Sequence, residues 1–235
     1  YYHQKNINKK LVKLNLKKVI DVGAHKGEFL TNAISTQKKL KVYSFEPQSE
    51  IFKKLKKKFK SRKNVFVYNK AISNVNMKKK LNINLKTSTS TFSNYNKNSY
   101  WKKTKDFVLT GFKKSSIIRS ELVQSITLDN FCEKKKIKNI DLLKIDTEGH
   151  EAEVLEGSIK IIEKYFPDFF IELNERSADK CISFLKEFGY CCFFIDEKNN
   201  KVNEIKLFNK EMLKDEGVNY LATKKDLSDI NRLLN

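Results

Sequence analysis

Arginine is scarce in this chain of 235 residues: only Arg62, Arg119, Arg176 and Arg232 occur among 48 basic residues. The formal net charge of +20 therefore rests on lysine. A surface built to grip phosphate would favour arginine, whose planar fork matches phosphate geometry. Lysine, asparagine and isoleucine together are what an AT-rich genome encodes, so the charge alone is weak ground for a nucleic-acid partner. Runs such as "KKLKKKFK", from Lys53 to Lys60, read as the solvated face of an amphipathic helix. Ile51, Phe52, Leu55 and Phe59 would then turn inward.

Cysteine is also sparse. The four, Cys132, Cys181, Cys191 and Cys192, form no CxxC pair. That argues against zinc and disulfides and for burial as small hydrophobes. No apolar run is long enough for a membrane span. The opening "YYHQKNINKKLVKLNLKK" lacks the apolar core of a signal peptide. It starts at Tyr1 rather than Met, so a trimmed start is expected. A reducing, cytoplasmic setting is the expectation from these absences.

Hydrophobic runs alternate with helical patterns, and the length suits one α/β domain over 1–235 with a single core. "KVIDVG" (from Lys18) reads as a buried strand, "EFLTNAIS" as a helix and "KVYSFE" (from Lys41) as a second strand. A helix from Ser49 to Phe59 and a third strand in "NVFVYNKAIS" follow. This β-α-β-α-β order implies a parallel sheet with helical crossovers. Two further strands are expected at Lys78 to Leu85 and Ser120 to Thr127, a small β insertion of about 78–127. The polar stretch between them holds Tyr95, Tyr100 and Trp101, which could stack on a sugar ring or cap a satellite core. Thr127 starts a helix, "IDLLKID" (from Ile140) is a core strand, and one helix is expected after it. "DFFIELN" (from Asp168), a helix from Ala178 to Phe188, "YCCFFI" and "VNYLAT" close the chain.

"DVGAHKGEF", from Asp21 to Phe29, joins the first strand to the first helix. Gly23 permits a tight turn with close backbone approach, and Gly27 is expected where the helix packs on the sheet. His25 stands where a dinucleotide loop often carries glycine, which weakens a pyrophosphate reading. His25 itself reads as a loop residue or a ligand contact. Glu46 closes the second strand, where an acid can accept both hydroxyls of a ribose. Asp21, at the end of the first strand, could meet a cationic amine or sulfonium. A ligand with a ribose and a positive charge but no phosphate fits, and S-adenosylmethionine is one.

These residues carry a family resemblance. "VIDVGAHKGEF", "VYSFEPQSEIFKKL", "VYNKAIS" and "SITLDNFCEKKKIKNIDLLKIDTEGHEAEVLEGSIKII" resemble the FkbM-type methyltransferases, from about Val19 to Leu173. The resemblance implies a Rossmann-like class I methyltransferase, with a seven-stranded, mostly parallel sheet and helices on both faces. It implies S-adenosylmethionine as cofactor and O-methylation of a sugar or natural-product hydroxyl. On that analogy Asp21, Gly23, Ala24 and Gly27 surround the methionine part of the cofactor. Glu46 holds the ribose, and Ala71 and Ile72, beside Asn69, flank the adenine. His25, Pro47 and Asp146 adjoin this set as further cofactor-binding candidates.

The acid-rich "KIDTEGHEAEVLEG" (from Lys144) lies where an expected strand becomes a helix. Asp146, Glu148, His150 and Glu172 are candidate general bases for drawing the proton from an acceptor hydroxyl. His150 has the most suitable ordinary pKa, but the surrounding acids are expected to raise it. Glu153 and Glu156, and Glu151 in part, are accounted for by the dipole of one helix. Asp146, Glu172 and Asn174 could hold a divalent metal, though none is expected.

Two rivals remain. A nucleic-acid methyltransferase suits the charge, yet the two prolines, Pro47 and Pro167, leave no [DN]PP[YF] motif and no Pro-Cys dipeptide. Ribose 2′-O-methylation stays open. A non-catalytic polyanion-binding module would not need Asp21, Gly23, Gly27 and Glu46 together. The acceptor is expected to be a small molecule or glycan rather than nucleic acid.

Overall fold

The structure, a computed structural model, describes residues 16–84, 117–174, 177–196, 201–205 and 218–234. Tyr95, Tyr100 and Trp101 lie outside them, so their alternatives stay as stated above.

Strands β1 (Lys18–Val22), β2 (Lys41–Phe45) and β3 (Val65–Tyr68) alternate with helices α1 (Glu28–Thr36) and α2 (Ser49–Lys58). Strands β4 (Ala71–Ile72), β5 (Met77–Asn84) and β6 (Ile117–Ile126) follow. Then come α3 (Leu128–Lys135), β7 (Leu142–Ile145), α4 (Glu151–Glu156), α5 (Ile159–Tyr165) and β8 (Asp168–Leu173). The chain continues through α6 (Ala178–Glu187), β9 (Cys191–Asp196), β10 (Lys201–Glu204), β11 (Val218–Thr223) and α7 (Leu227–Leu234). The main sheet has the order β10-β9-β11-β8-β7-β1-β2-β3. Pairing is parallel from β3 through β8, and β11 inserts antiparallel between β8 and β9.

The sheet is thus Rossmann-like and mostly parallel, but it has eight strands among the described residues, not seven. The addition is β10, which pairs antiparallel with β9 at the sheet edge. Its sequence "KVNE" is short and polar at three of four positions, as an edge strand can be, so it carries no hydrophobic signal.

Both faces are covered. Ile20, Val22, Phe45, Leu143, Ile145, Phe169 and Ile171 face α3 to α6. Val19, Val42, Leu142 and Phe170 face the side packed by α1, α2 and α7. The parallel strands are apolar on both sides, as two helical layers require. The cysteines are free, and three of the four are buried.

The insertion forms a second sheet, β4-β6-β5, around Ala71, Leu81, Ile83 and Val123. It docks on α2: Glu121 Oε1 accepts the Ser49 N–H at 3.0 Å, and Arg119 pairs with Glu50 at 2.7 Å. α2 presents Ile51 and Leu55 inward, as its spacing suggested, while Phe52 is half-buried.

The segment after β7 is two short helices rather than one. The break falls at Gly157, which lies against another backbone: a Cβ there would sit 2.1 Å from Ser73 O. Glu156 therefore ends α4, where the helix dipole disfavours an acid. It is held instead by Lys180 Nζ at 2.7 Å and Asn74 Nδ2 at 2.8 Å.

Candidate functional site

The register of the parallel strands builds the site. The last paired positions in the middle of the sheet are Tyr68, Phe45, Val22, Ile145 and Ile171, side by side. One residue further along each strand stand Asn69, Glu46, Gly23, Asp146 and Glu172. They form a row across the carboxyl ends of five neighbouring strands, where open α/β sheets bind ligands. Ladder bonds run on into this row. Glu46 N donates to Tyr68 O at 3.0 Å, Gly23 N to Phe45 O at 3.1 Å and Asp146 N to Val22 O at 3.0 Å.

Gly23 has φ +81, which disfavours L side chains, and a Cβ there would lie 1.7 Å from Asp146 O. Nothing larger fits between the first turn and the acidic loop. His25 follows with φ 44. The site of an expected glycine thus keeps a glycine-like conformation. Gly27 N-caps α1, and its neighbours are Leu55 of α2 and Phe59 just after that helix rather than the sheet. Ala24 is buried and packs with α1 and β1 residues.

Glu46 is 2% exposed. Its carboxylate takes the His25 N–H on Oε2 and the Gln48 N–H on Oε1, both at 2.8 Å. These bonds join the loops after β1 and β2 and leave lone pairs on both oxygens. Burial pushes the carboxyl up to about 7, against the opposing pull of the Gln48 and His25 N–H groups and Lys144. Asn69 Nδ2 donates to the carbonyls of Glu46 and Pro47 at 3.0 and 2.8 Å, fixing the turn in which Pro47 sits. Ala71 and Ile72 are buried in β4, one in the small core and one in the main core.

Beneath the row lies a second polar row: Ser44, Asp21 and Lys144 are register partners on β2, β1 and β7. Asp21 is fully buried. It presents no surface, and its cationic neighbour is Lys144, not a solvent-side group. Lys144 Nζ stands 3.3 Å from Asp21 Oδ1 and 3.3 Å from Asp146 Oδ2, and donates to Gly23 O at 2.8 Å. Ser44 Oγ donates to Asp21 Oδ2 at 3.2 Å. Burial alone would lower Lys144, but Asp146 and then Asp21 outweigh it and hold the ammonium above its ordinary range. Burial raises the Asp21 carboxyl, with Lys144 and Ser44 opposing.

Glu151 shapes the acidic loop. Its Oε1 accepts from Thr147 N at 3.1 Å, Thr147 Oγ1 at 3.0 Å and Gly149 N at 2.9 Å. Glu148, at φ 55, forms the bend of this loop, which meets Asn174 across Gly149. Asn174 Oδ1 accepts the Ser177 N–H at 3.3 Å in front of α6. Among the described residues no group of three or more His, Cys, Asp or Glu is arranged to hold a metal ion.

His150 stands apart from the row. It is buried, with Nε2 3.0 Å from Ser73 Oγ and Nδ1 3.4 Å from Glu153 Oε2. Burial lowers its pKa more than Glu153 raises it, the opposite of the direction expected from its acidic neighbours.

Comparisons with known proteins bear on the family and the fold. A model of the methyltransferase FkbM domain matches residues 21–192, well over half of the chain. The chain belongs to the FkbM methyltransferase family. The crystal structure of an FkbM methyltransferase from Methylobacillus flagellatus is similar in fold, with a TM-score of 0.54 at 14% identity. That likeness covers 88% of this chain and 43% of the other, so the chain spans under half of that relative's length. An S-adenosylmethionine-dependent O-methyltransferase from Thermotoga maritima aligns over 96% of this chain and 66% of its own, at 9% identity and TM-score 0.48. A putative rRNA methylase from Clostridium thermocellum aligns over 93% of each chain, at 11% identity and TM-score 0.48. No curated protein matches the chain in sequence.

Three residues of this candidate site were not singled out in the sequence: Lys144, Glu151 as a loop brace, and Ser73 against His150. Lys144 had a signal, since it is the one charge inside the apolar strand "LLKI". Charged residues are rarely buried unless paired. No comparable signal marked Ser73.

Proposed function

We propose that this FkbM chain transfers a methyl group from S-adenosylmethionine to a hydroxyl oxygen, on a sugar of a glycan, glycolipid or natural product. The observation that carries the reading is the single row Glu46, Gly23, Asp146 and Glu172 at the carboxyl ends of four neighbouring parallel strands. The residues fit the cofactor. Glu46 is a buried acid with spare lone pairs for a ribose diol, and the turn at Gly23 keeps bare backbone beside it. Ala24, His25, Gly27, Pro47 and Asn69 build the turns that would enclose it, and Ala71 and Ile72 lie just beyond in β4. Asp21 acts in this reading through Lys144, from below.

The bound cofactor would supply an electrophilic methyl carbon on a positively charged sulfur. Transfer to an acceptor oxygen would leave the cofactor as its neutral thioether, and the row Glu46, Gly23, Asp146 and Glu172 would hold donor and acceptor together for it. The hydroxyl proton goes to a carboxylate. Asp146 is the leading base: its side chain is 33% exposed, next to Gly23 in the row. Glu172 and Glu148 are the next carboxylates along the cleft. General base assistance contributes roughly 10²–10⁴-fold, and holding the reacting atoms in line contributes more. His150, with both ring nitrogens beside protein partners, holds α4 to β4 in this reading.

The test is incubation with radiolabelled S-adenosylmethionine and a panel of nucleotide sugars, oligosaccharides and RNA. Label in a sugar acceptor supports the reading. Label in RNA alone would move the substrate class to ribose 2′-hydroxyls, and cofactor binding absent throughout would contradict it.

A further inference from the structure

Buried ionic groups are costly to assemble, so a three-membered cluster under a ligand row asks for an explanation. Lys144 touches two carboxylates and one carbonyl, all on the side facing α1 and α2. Asp21 is enclosed beneath it, whereas Asp146 reaches the row above. With the ammonium charged, the three side chains sum to one negative charge. Lys144 is the one charge in a strand whose other members, Leu142, Leu143 and Ile145, are apolar.

We propose that the Asp21–Lys144–Asp146 cluster is a charge selector, in which Lys144 cancels Asp21 and leaves one net negative charge that favours the sulfonium cofactor over its neutral thioether product. The inference rests on the reading that the row holds S-adenosylmethionine. The charge of the ligand falls by one when the methyl group leaves, while its shape barely changes. A net negative charge beside the sulfur therefore separates the two ligands. Product loses that attraction once formed, which speeds its release. Lys144 also ties the carbonyl of Gly23 to Asp146, so the selector and the glycine turn move as one unit.

The experiment is calorimetric titration of the full chain with S-adenosylmethionine and, separately, S-adenosylhomocysteine. Asp21→Asn takes the cluster from one net negative charge to none, since Lys144 is then balanced by Asp146 alone. Affinity for the sulfonium form is expected to fall about tenfold or more, with the thioether changed less than about threefold. Adding Lys144→Met to Asp21→Asn removes the opposing charge and is expected to bring the ratio back within about threefold of wild type. Asp146→Asn, at a partly exposed side chain, makes the same charge change without entering the core, and the same selective loss is expected. It serves if Asp21→Asn does not melt cooperatively. Equal losses for both ligands, or an unchanged ratio in these variants, would overturn the selector and leave the methyltransferase reading standing. A wild-type chain that binds neither ligand would overturn both.

Discussion

Glu46 reaches back to the backbone N–H of His25, 21 residues earlier, and accepts it at 2.8 Å. With the Gln48 N–H on its other oxygen, this one carboxylate ties two strand-end loops together at 2% exposure. The tie has a pH signature. Burial raises the folded-state pKa from 4.5 to about 7. The folded chain then binds more protons than the unfolded chain between these values. The group's stabilising contribution is present below about 4.5 and is lost as pH rises through about 7. Its full size is up to about 3 kcal/mol. Urea unfolding of wild type and Glu46→Gln at pH 5 and pH 8 checks this: the stability difference between the two proteins should change with pH in that direction.

Gly23→Ala is expected to cost at least about 3 kcal/mol. The new methyl group would meet Asp146 O at 1.7 Å, at a residue with φ +81. Relief requires the first turn and the acidic loop to part, so cofactor binding should fall with stability. Chemical denaturation and a cofactor titration on the same sample measure both.

Glu151→Ala removes the brace on Thr147 and Gly149. The expected cost is about 1–3 kcal/mol, from donors left without their acceptor. The loop carrying Asp146 and Glu148 should also exchange its amide hydrogens faster, which hydrogen exchange reads directly. Unchanged protection would remove Glu151 as the organiser of this loop.

Much of the row was legible in the sequence because each member ends or follows an apolar strand: Glu46 after "KVYSF", Asp146 after "LLKI", and Gly23 after "KVIDV". Strand ends on one side of a parallel sheet become neighbours whatever the loops do. What lay below the row was not legible. Asp21 looks like a strand-end acid in one dimension, and only the register to Ser44 and Lys144 shows it as the lower layer. The helix break at Gly157 was hidden for a similar reason, since it depends on Ser73, far away in sequence. β10 escaped because an edge strand can lack a hydrophobic face. The pKa direction at His150 was misjudged because nearby acids are visible in sequence and burial is not.

Asp146→Asn should separate chemistry from binding of the acceptor. Once the label screen provides an acceptor, turnover is expected to fall by about 10²–10⁴-fold, the range for loss of a general base. The acceptor KM should change far less. Glu172→Gln, one strand further along the row, should have the smaller effect on turnover. The reverse order in steady-state kinetics would make Glu172 the base.

The central claim is that a sulfonium nucleoside sits on this row with its ribose on Glu46, and calorimetry at pH 8 tests it most directly. Wild type is expected to bind S-adenosylmethionine with one site per chain, and Glu46→Gln to bind at least about tenfold more weakly, with its thermal melt still cooperative. Equal affinity in the two proteins, or heat of dilution only for wild type, would contradict it.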